Sequence, residues 1–199
     1  MTNNGEIEKL VSYFSRLPGM GNRSALRIVL HLLKRKSTVL RNIIDLLNGV
    51  YNNVKICEIC GNIDIISPCS ICTDKRRDNS TICVVADVSD LWTIERAGFY
   101  NGKYHVLGNK LSAVEGITPD DIDINGLYKR LISANDVHEV IMALSSDLDG
   151  QTTVFFIKDK IGTLGIRITT LSQGVPVGSE LEYLDNGTIL AAFSQRYSI

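Results

Sequence analysis

Three observations predict an α/β protein with a helical N-terminal region and a small metal-binding knob. Short apolar runs alternate with helical patterns from Thr81 to Thr170. Two C-x2-C pairs lie ahead of them, and two helical patterns meet at Pro18-Gly19 near the N-terminus. Strands alternating with helices indicate a mostly parallel sheet. The expected organisation is a helix-hairpin-helix region over 1–53, a four-cysteine zinc finger over 54–79, an α/β sheet domain over 80–175 and a C-terminal segment over 176–199. The chain has 199 residues, of which 44% are hydrophobic, enough for a real core and too many for a disordered chain. No apolar run approaches the roughly 18 to 20 residues of a membrane span. Met1 to Glu8 is polar and acidic, unlike a signal peptide, so a reducing cytoplasm is the expected location.

Residues 6 to 17 place Ile7, Leu10, Val11, Phe14 and Leu17 at helical spacing. Leu17-Pro18-Gly19-Met20-Gly21 breaks that helix, and a second follows with Ala25, Ile28, Val29, Leu32 and Leu33 on one face. In such a helix-hairpin-helix, Gly19 and Gly21 let the hairpin approach a phosphate, and the second helix aims its first amides at it. Arg23 and Arg27 share a face beside those amides. The site would grip phosphates without reading bases. Pro-Gly also occurs as a plain turn between helices, but the arginines after it favour DNA. Ser37 is the expected cap of a third helix, whose apolar set is Val39, Leu40, Ile43, Ile44, Leu46, Leu47 and Val50. That face is wide enough to bury against the first helices or another subunit. Asn48-Gly49 and Asn52-Asn53 are expected to end it.

Cys57, Cys60, Cys69 and Cys72 follow, the two pairs separated by eight residues. Each C-x2-C turn aims two sulfurs at one point, and two turns make a closed tetrahedral site for one structural Zn2+ per chain. Gly61 suits the positive φ of a knuckle, and Pro68 stiffens the approach to the second pair. Two disulfides are the alternative, and the absence of a secretion signal counts against them. Cys83 lies in an apolar run and reads as a buried small hydrophobe.

From Thr81 the strands read as Ile82–Ala86, Lys103–Leu107, Glu139–Leu144 and Leu164–Thr170. The helices read as Val88–Ala97, Ile124–Ile132 and Gln151–Ile161. Asp87, Asp90, Asp147 and Asp149 fall at the C-terminal ends of two strands, the edge where open α/β sheets place ligands. Carboxylates there could hold Mg2+. Helix capping explains them equally well.

Charge is distributed unevenly. Residues 1–56 carry nine Lys or Arg against three Asp or Glu, a net of +6, and residues 81–199 carry nine against fifteen, a net of −6. A basic head on an acidic body suggests a polyanion at one end and another partner at the other.

The chain resembles the bacterial recombination mediator RecR family along nearly its whole length. The matching stretches are Leu17-Pro18-Gly19-Met20-Gly21-Asn22-Arg23-Ser24-Ala25, the four cysteines, Ile82 to Val85, Tyr104-His105-Val106-Leu107-Gly108, and Gly174-Val175-Pro176-Val177-Gly178-Ser179-Glu180-Leu181-Glu182-Tyr183-Leu184-Asp185. The hairpin and zinc motifs are each widely shared, but their order ahead of an α/β layer and Gly-Val-Pro-Val-Gly is much more specific. The resemblance implies that the α/β layer is a Toprim domain, the module of topoisomerases and primases. It implies a non-enzymatic, ring-like tetramer that clamps DNA and works with RecO and RecF to load RecA onto gapped DNA coated by single-strand-binding protein. The expected site residues are then the four zinc cysteines and Gly19, Gly21, Arg23 and Arg27 for DNA. Asp87, Asp147 and Asp149 form an acidic patch for a partner's basic surface or for Mg2+. Toprim enzymes carry Glu directly after the first strand, where this chain has Ala86. Their later Asp-x-Asp, anchored on Gly150, falls on Ser145 and Asp147, with Asp149 in place of Glu. A one-residue displacement at a strand end turns a side chain to the other face, which argues against an intact catalytic metal site. The competing class is a Mg2+-dependent Toprim nuclease or strand-passing enzyme, but the seven tyrosines show no Arg or Lys arrangement that marks a nucleophile. A third class, a zinc-ribbon adaptor that binds only protein, is disfavoured by the basic hairpin.

Overall fold

A computed structural model of the chain describes residues 5–134 and 136–196. It divides into two compact units, residues 1–54 and 55–199. In the first unit, α1 (Gly5–Ser15) and α2 (Asn22–Lys34) pack against each other. Ala25, Val29 and Leu32 recur at helical spacing on one face of α2 and are its buried residues. Gly19 takes φ 73° in the connection, a left-handed conformation that any Cβ would penalise.

The third helix ends at Asn53, as expected, but departs from expectation at its start and at Asn48-Gly49. Ser37 does not cap it. Lys36–Leu40 forms one π-helical turn, in which the Leu40 N–H donates to the Arg35 carbonyl, and α3 (Arg41–Asn53) continues from it. Leu40 already has helical φ and ψ, so no free amide end remains for a serine to satisfy. Asn48-Gly49 lies inside α3, where the Asn53 side chain donates to the Gly49 carbonyl at 2.8 Å.

The second unit opens with a small ribbon of β1 (Lys55–Ile56) and β2 (Ile63–Asp64), then a single helical turn, α4 (Ser70–Thr73). The sheet domain follows as β3 (Thr81–Val85), α5 (Val88–Ala97), β4 (Lys103–Val106), α6 (Ile124–Ser133), β5 (Glu139–Ala143), α7 (Leu148–Ile161) and β6 (Arg167–Thr170), with α8 (Asn186–Ser194) after it. The strand order is β4-β3-β5-β6, and every pairing is parallel. Alternation along β3 sorts the core. Ile82 and Val84 pack with Leu127, Leu131, Val140, Met142, Ile157 and Ile161 on one face, while Cys83 and Val85 pack with Leu91, Tyr104 and Val106 on the other. Burial pushes the Cys83 thiol up to about 12, as suits a small core hydrophobe.

Two boundaries move. α7 begins at Leu148 rather than Gln151, because Asp147 caps it, and the final strand begins at Arg167, because Gly162–Leu164 forms a 3-10 turn. Among the described residues no helix is long and apolar enough to cross a membrane.

Candidate functional site

The four predicted cysteines converge. Cys57, Cys60, Cys69 and Cys72 bring their sulfurs within 4.8 Å of one another, and none of them forms a disulfide. Cys60 and Cys69 are 3.6 Å apart and Cys57 and Cys72 3.9 Å apart, sulfur to sulfur. Zinc–sulfur bonds of about 2.3 Å in a tetrahedron put the sulfurs ~3.8 Å apart, so the donor set and spacing fit a Zn2+ ion. Local structure makes the cage. The first pair turns through Gly61, at φ 76°, and the Gly61 N–H returns to the Cys57 carbonyl at 2.9 Å. The second pair spans α4, with Cys69 as its cap residue. Burial alone would push the Cys57 thiol up, but backbone N–H groups of Cys69, Ile59 and Cys60 outweigh it and bring it to about 7. Such N–H groups favour the thiolate, the form that binds metal. Four protein sulfurs fill a tetrahedron, so the centre has no open position for a substrate.

The knob packs on the sheet domain. The Val106 N–H of edge strand β4 donates to the Cys60 carbonyl at 2.8 Å, and the Trp92 indole of α5 donates to the Asn62 side chain at 3.1 Å. The Lys103 ammonium donates to the carbonyls of Ile71, Cys72 and Asp74.

The second candidate site lies in the first unit. Gly21 is the N-cap of α2 and supplies no side-chain acceptor, so the first amides of the helix lack an intrahelical partner. Gly19, Gly21, Arg23 and Arg27 are all exposed. Arg27 also lines a shallow groove with Ser24, Ile28, His31 and Lys34. Free amides, the positive end of a 13-residue helix and two exposed arginines one turn apart are groups that could hold an anion without a metal.

Of the acidic candidates, Asp87, Asp90 and Asp147 are committed to local structure. Asp87 accepts from the Ser89 N–H at 2.8 Å as the cap of α5, and Asp90 closes the capping box by accepting from the Asp87 N–H. Asp147 caps α7 through the Gly150 N–H at 2.7 Å, and Asp149 lies in the first turn of that helix. The Lys110 ammonium reaches Asp147 and the Ser145 hydroxyl, both at 2.7 Å, and the hydroxyl donates to the other Asp147 oxygen. Lys110, with the Gly150 N–H and Ser145, holds the Asp147 carboxyl at about 2. Among the described residues the four cysteines are the one group of three or more His, Cys, Asp or Glu side chains placed to share a metal ion.

Sequence reasoning missed Lys103 and Lys110. Lys103 carries a signal, a lysine at the head of the buried-strand pattern Lys103–Leu107. Lys110 carries none, since its partner lies 37 residues away.

Comparison with known proteins adds three matched regions. Residues 7–50 match the family model described as RecR, helix-hairpin-helix; residues 80–172 match that of the Toprim domain; and residues 174–197 match that of RecR, C-terminal. A protein of Agrobacterium fabrum named recombination protein RecR is 50% identical over 194 residues, covering 98% of this chain and 96% of that protein. Proteins of the same name from Bartonella bacilliformis and Rhizobium etli are each 49% identical over 191 residues, covering 96% of this chain and 94% of theirs.

Proposed function

Because the chain belongs to the recombination protein RecR family, whose members mediate recombination in DNA repair, we propose that it is a DNA-binding clamp without catalytic turnover. In this reading it forms a ring-like tetramer that helps RecO and RecF load RecA onto gapped DNA coated by single-strand-binding protein. The observation that carries the proposal is the α2 hairpin, where free amides and the Arg23 and Arg27 side chains lie together on an exposed surface. One such hairpin neutralises few phosphates, so a monomer binds feebly at physiological salt. Several hairpins on one duplex add their contacts at high effective concentration. The zinc centre is structural, held by Cys57, Cys60, Cys69 and Cys72.

Three features support a role without turnover. Ala86 stands where Toprim enzymes have Glu. The oxygens of Asp147 are taken by a helix cap, a hydroxyl and Lys110. Asp87 is likewise a cap. The test supplies gapped DNA, single-strand-binding protein, RecO, RecF and RecA, and follows filament formation with and without this protein. Addition of the protein is expected to speed RecA loading and to leave supercoiled DNA intact in Mg2+ or Mn2+. Nicking that disappears in Asp147→Ala and Asp149→Ala would establish a nuclease instead.

A further inference from the structure

Lys103 opens β4 and is only 5% exposed. Its ammonium donates to three carbonyl oxygens, those of Ile71 at 2.9 Å, Cys72 at 3.0 Å and Asp74 at 2.9 Å. A lysine ammonium has three protons, so all its donors are used. These carbonyls close the C-terminal end of α4, the turn that carries Cys72. Among the described residues no carboxylate is ion-paired with Lys103. The Asp74 carboxylate is held instead by Arg76. A buried cation with no anionic partner carries a large desolvation cost, which is why buried charges are ordinarily paired.

One of the three carbonyls belongs to Cys72, a member of the four-cysteine cage. Four thiolates around a divalent zinc carry a net charge of about −2, and Cys72 supplies one of them. The centre therefore needs a nearby cation as much as Lys103 needs an anion. The same lysine lies on the strand that receives the knob, three residues before Val106, whose N–H donates to the Cys60 carbonyl. β4 is the first strand in the order β4-β3-β5-β6, so the knuckle backbone occupies part of an edge that would otherwise be open. Gly61 permits the close fit, since a Cβ there would lie 3.1 Å from the Val106 Cβ.

We propose that Lys103 is the internal counter-charge of the four-cysteine metal centre and fixes that centre to the sheet edge. The inference goes beyond the DNA-binding reading and stands without it. Lys103 acts through the cage and touches no substrate, so it is a positioning residue.

The test uses the full chain loaded with Co2+, which reports its thiolate ligands by a charge-transfer band, in competition with a chelator. Partners in the outer shell of a metal site are typically worth roughly 10- to 100-fold in affinity. Lys103→Met keeps most of the apolar stem and removes the charge. It is expected to weaken Co2+ binding at least ~10-fold and to shift the band to longer wavelength, because thiolates that lose a nearby cation release electron density more easily. Lys75→Met removes an equal charge from an exposed site and should change neither value. A loss of packing alone would lower affinity without moving the band at full occupancy. Should Lys103→Met fail to fold, Lys103→Arg is measured instead, and keeping the charge should hold the band at the wild-type position. In wild-type protein, stripping the metal should raise amide exchange across Lys103–Val106, and zinc should restore protection. A Lys103→Met protein with affinity within about twofold of wild type and an unmoved band would overturn the counter-charge. A shifted band in Lys103→Arg would do the same. Protection of β4 that is indifferent to metal would overturn the coupling.

Discussion

At the scale of single residues, the four-cysteine knob has almost no apolar core besides its sulfurs. Cys57, Cys60 and Cys69 are its buried hydrophobic cluster, with Ile71 and Cys72 packed against them. The energy of binding a metal at this cage would therefore be folding energy for the segment. Wild-type protein is expected to hold one zinc per chain, and Cys60→Ser should lose both the metal and the order of residues 55–74. Elemental analysis and amide exchange read these directly. Zinc retained by Cys60→Ser would contradict the assignment. His105 offers a pH test. It is buried, one ring nitrogen meets the Asp123 carbonyl at 2.7 Å, and among the described residues its Nδ1 has no partner. Burial lowers its pKa below 6.5, against the opposing pull of the Asp123 carbonyl and carboxylate. A depressed folded pKa means that the unfolded chain takes up the proton first as pH falls. The stability His105 contributes is thus complete above about pH 6.5 and declines as pH drops towards its folded value. Thermal midpoints between pH 7.5 and pH 5.5 are expected to fall more steeply for wild type than for His105→Phe; parallel curves would contradict this.

At the scale of elements, α3 separates packing from assembly. Leu46, Leu47 and Val50 are 69%, 61% and 57% exposed, so the helix keeps an apolar face that its own unit does not cover. Leu47→Asp should change the stability of the unit by no more than ~0.5 kcal/mol, as at other exposed positions. If this face joins subunits, the same change should lower the mass measured by light scattering and weaken DNA binding with it. Unchanged mass would remove α3 from the interface. Much of this architecture is legible in the sequence. The continuous apolar run at Ile82–Val85 reads as a strand buried on both faces, and the cysteine spacing dictates the cage. What sequence could not show depends on contacts made in space. Ser37 looks like a cap, but the chain is already helical when it reaches Leu40. Leu164 looks like strand, but Gly165, at φ 69°, turns the chain before β6. The acidic edge could be read as metal ligands or as caps, and only folding brought Lys110 to Asp147.

At the scale of the whole molecule, a net charge of −1 hides a head of +6 and an acidic remainder. In the clamp reading, such a chain binds a polyanion through few contacts per subunit, repeated by assembly. Each phosphate neutralised contributes about 0.9 to the slope of log affinity against log salt. Replacing two arginines should therefore flatten the slope by about 2 for every hairpin engaged. The decisive measurement is a set of DNA-binding isotherms over a salt series for wild type and for Arg23→Ala with Arg27→Ala, with mass followed by light scattering. The double variant should keep the wild-type mass, lose affinity by at least ~10-fold at low salt and show the flatter slope. A double variant that matches wild type in both affinity and slope would contradict the assignment of DNA binding to the α2 hairpin.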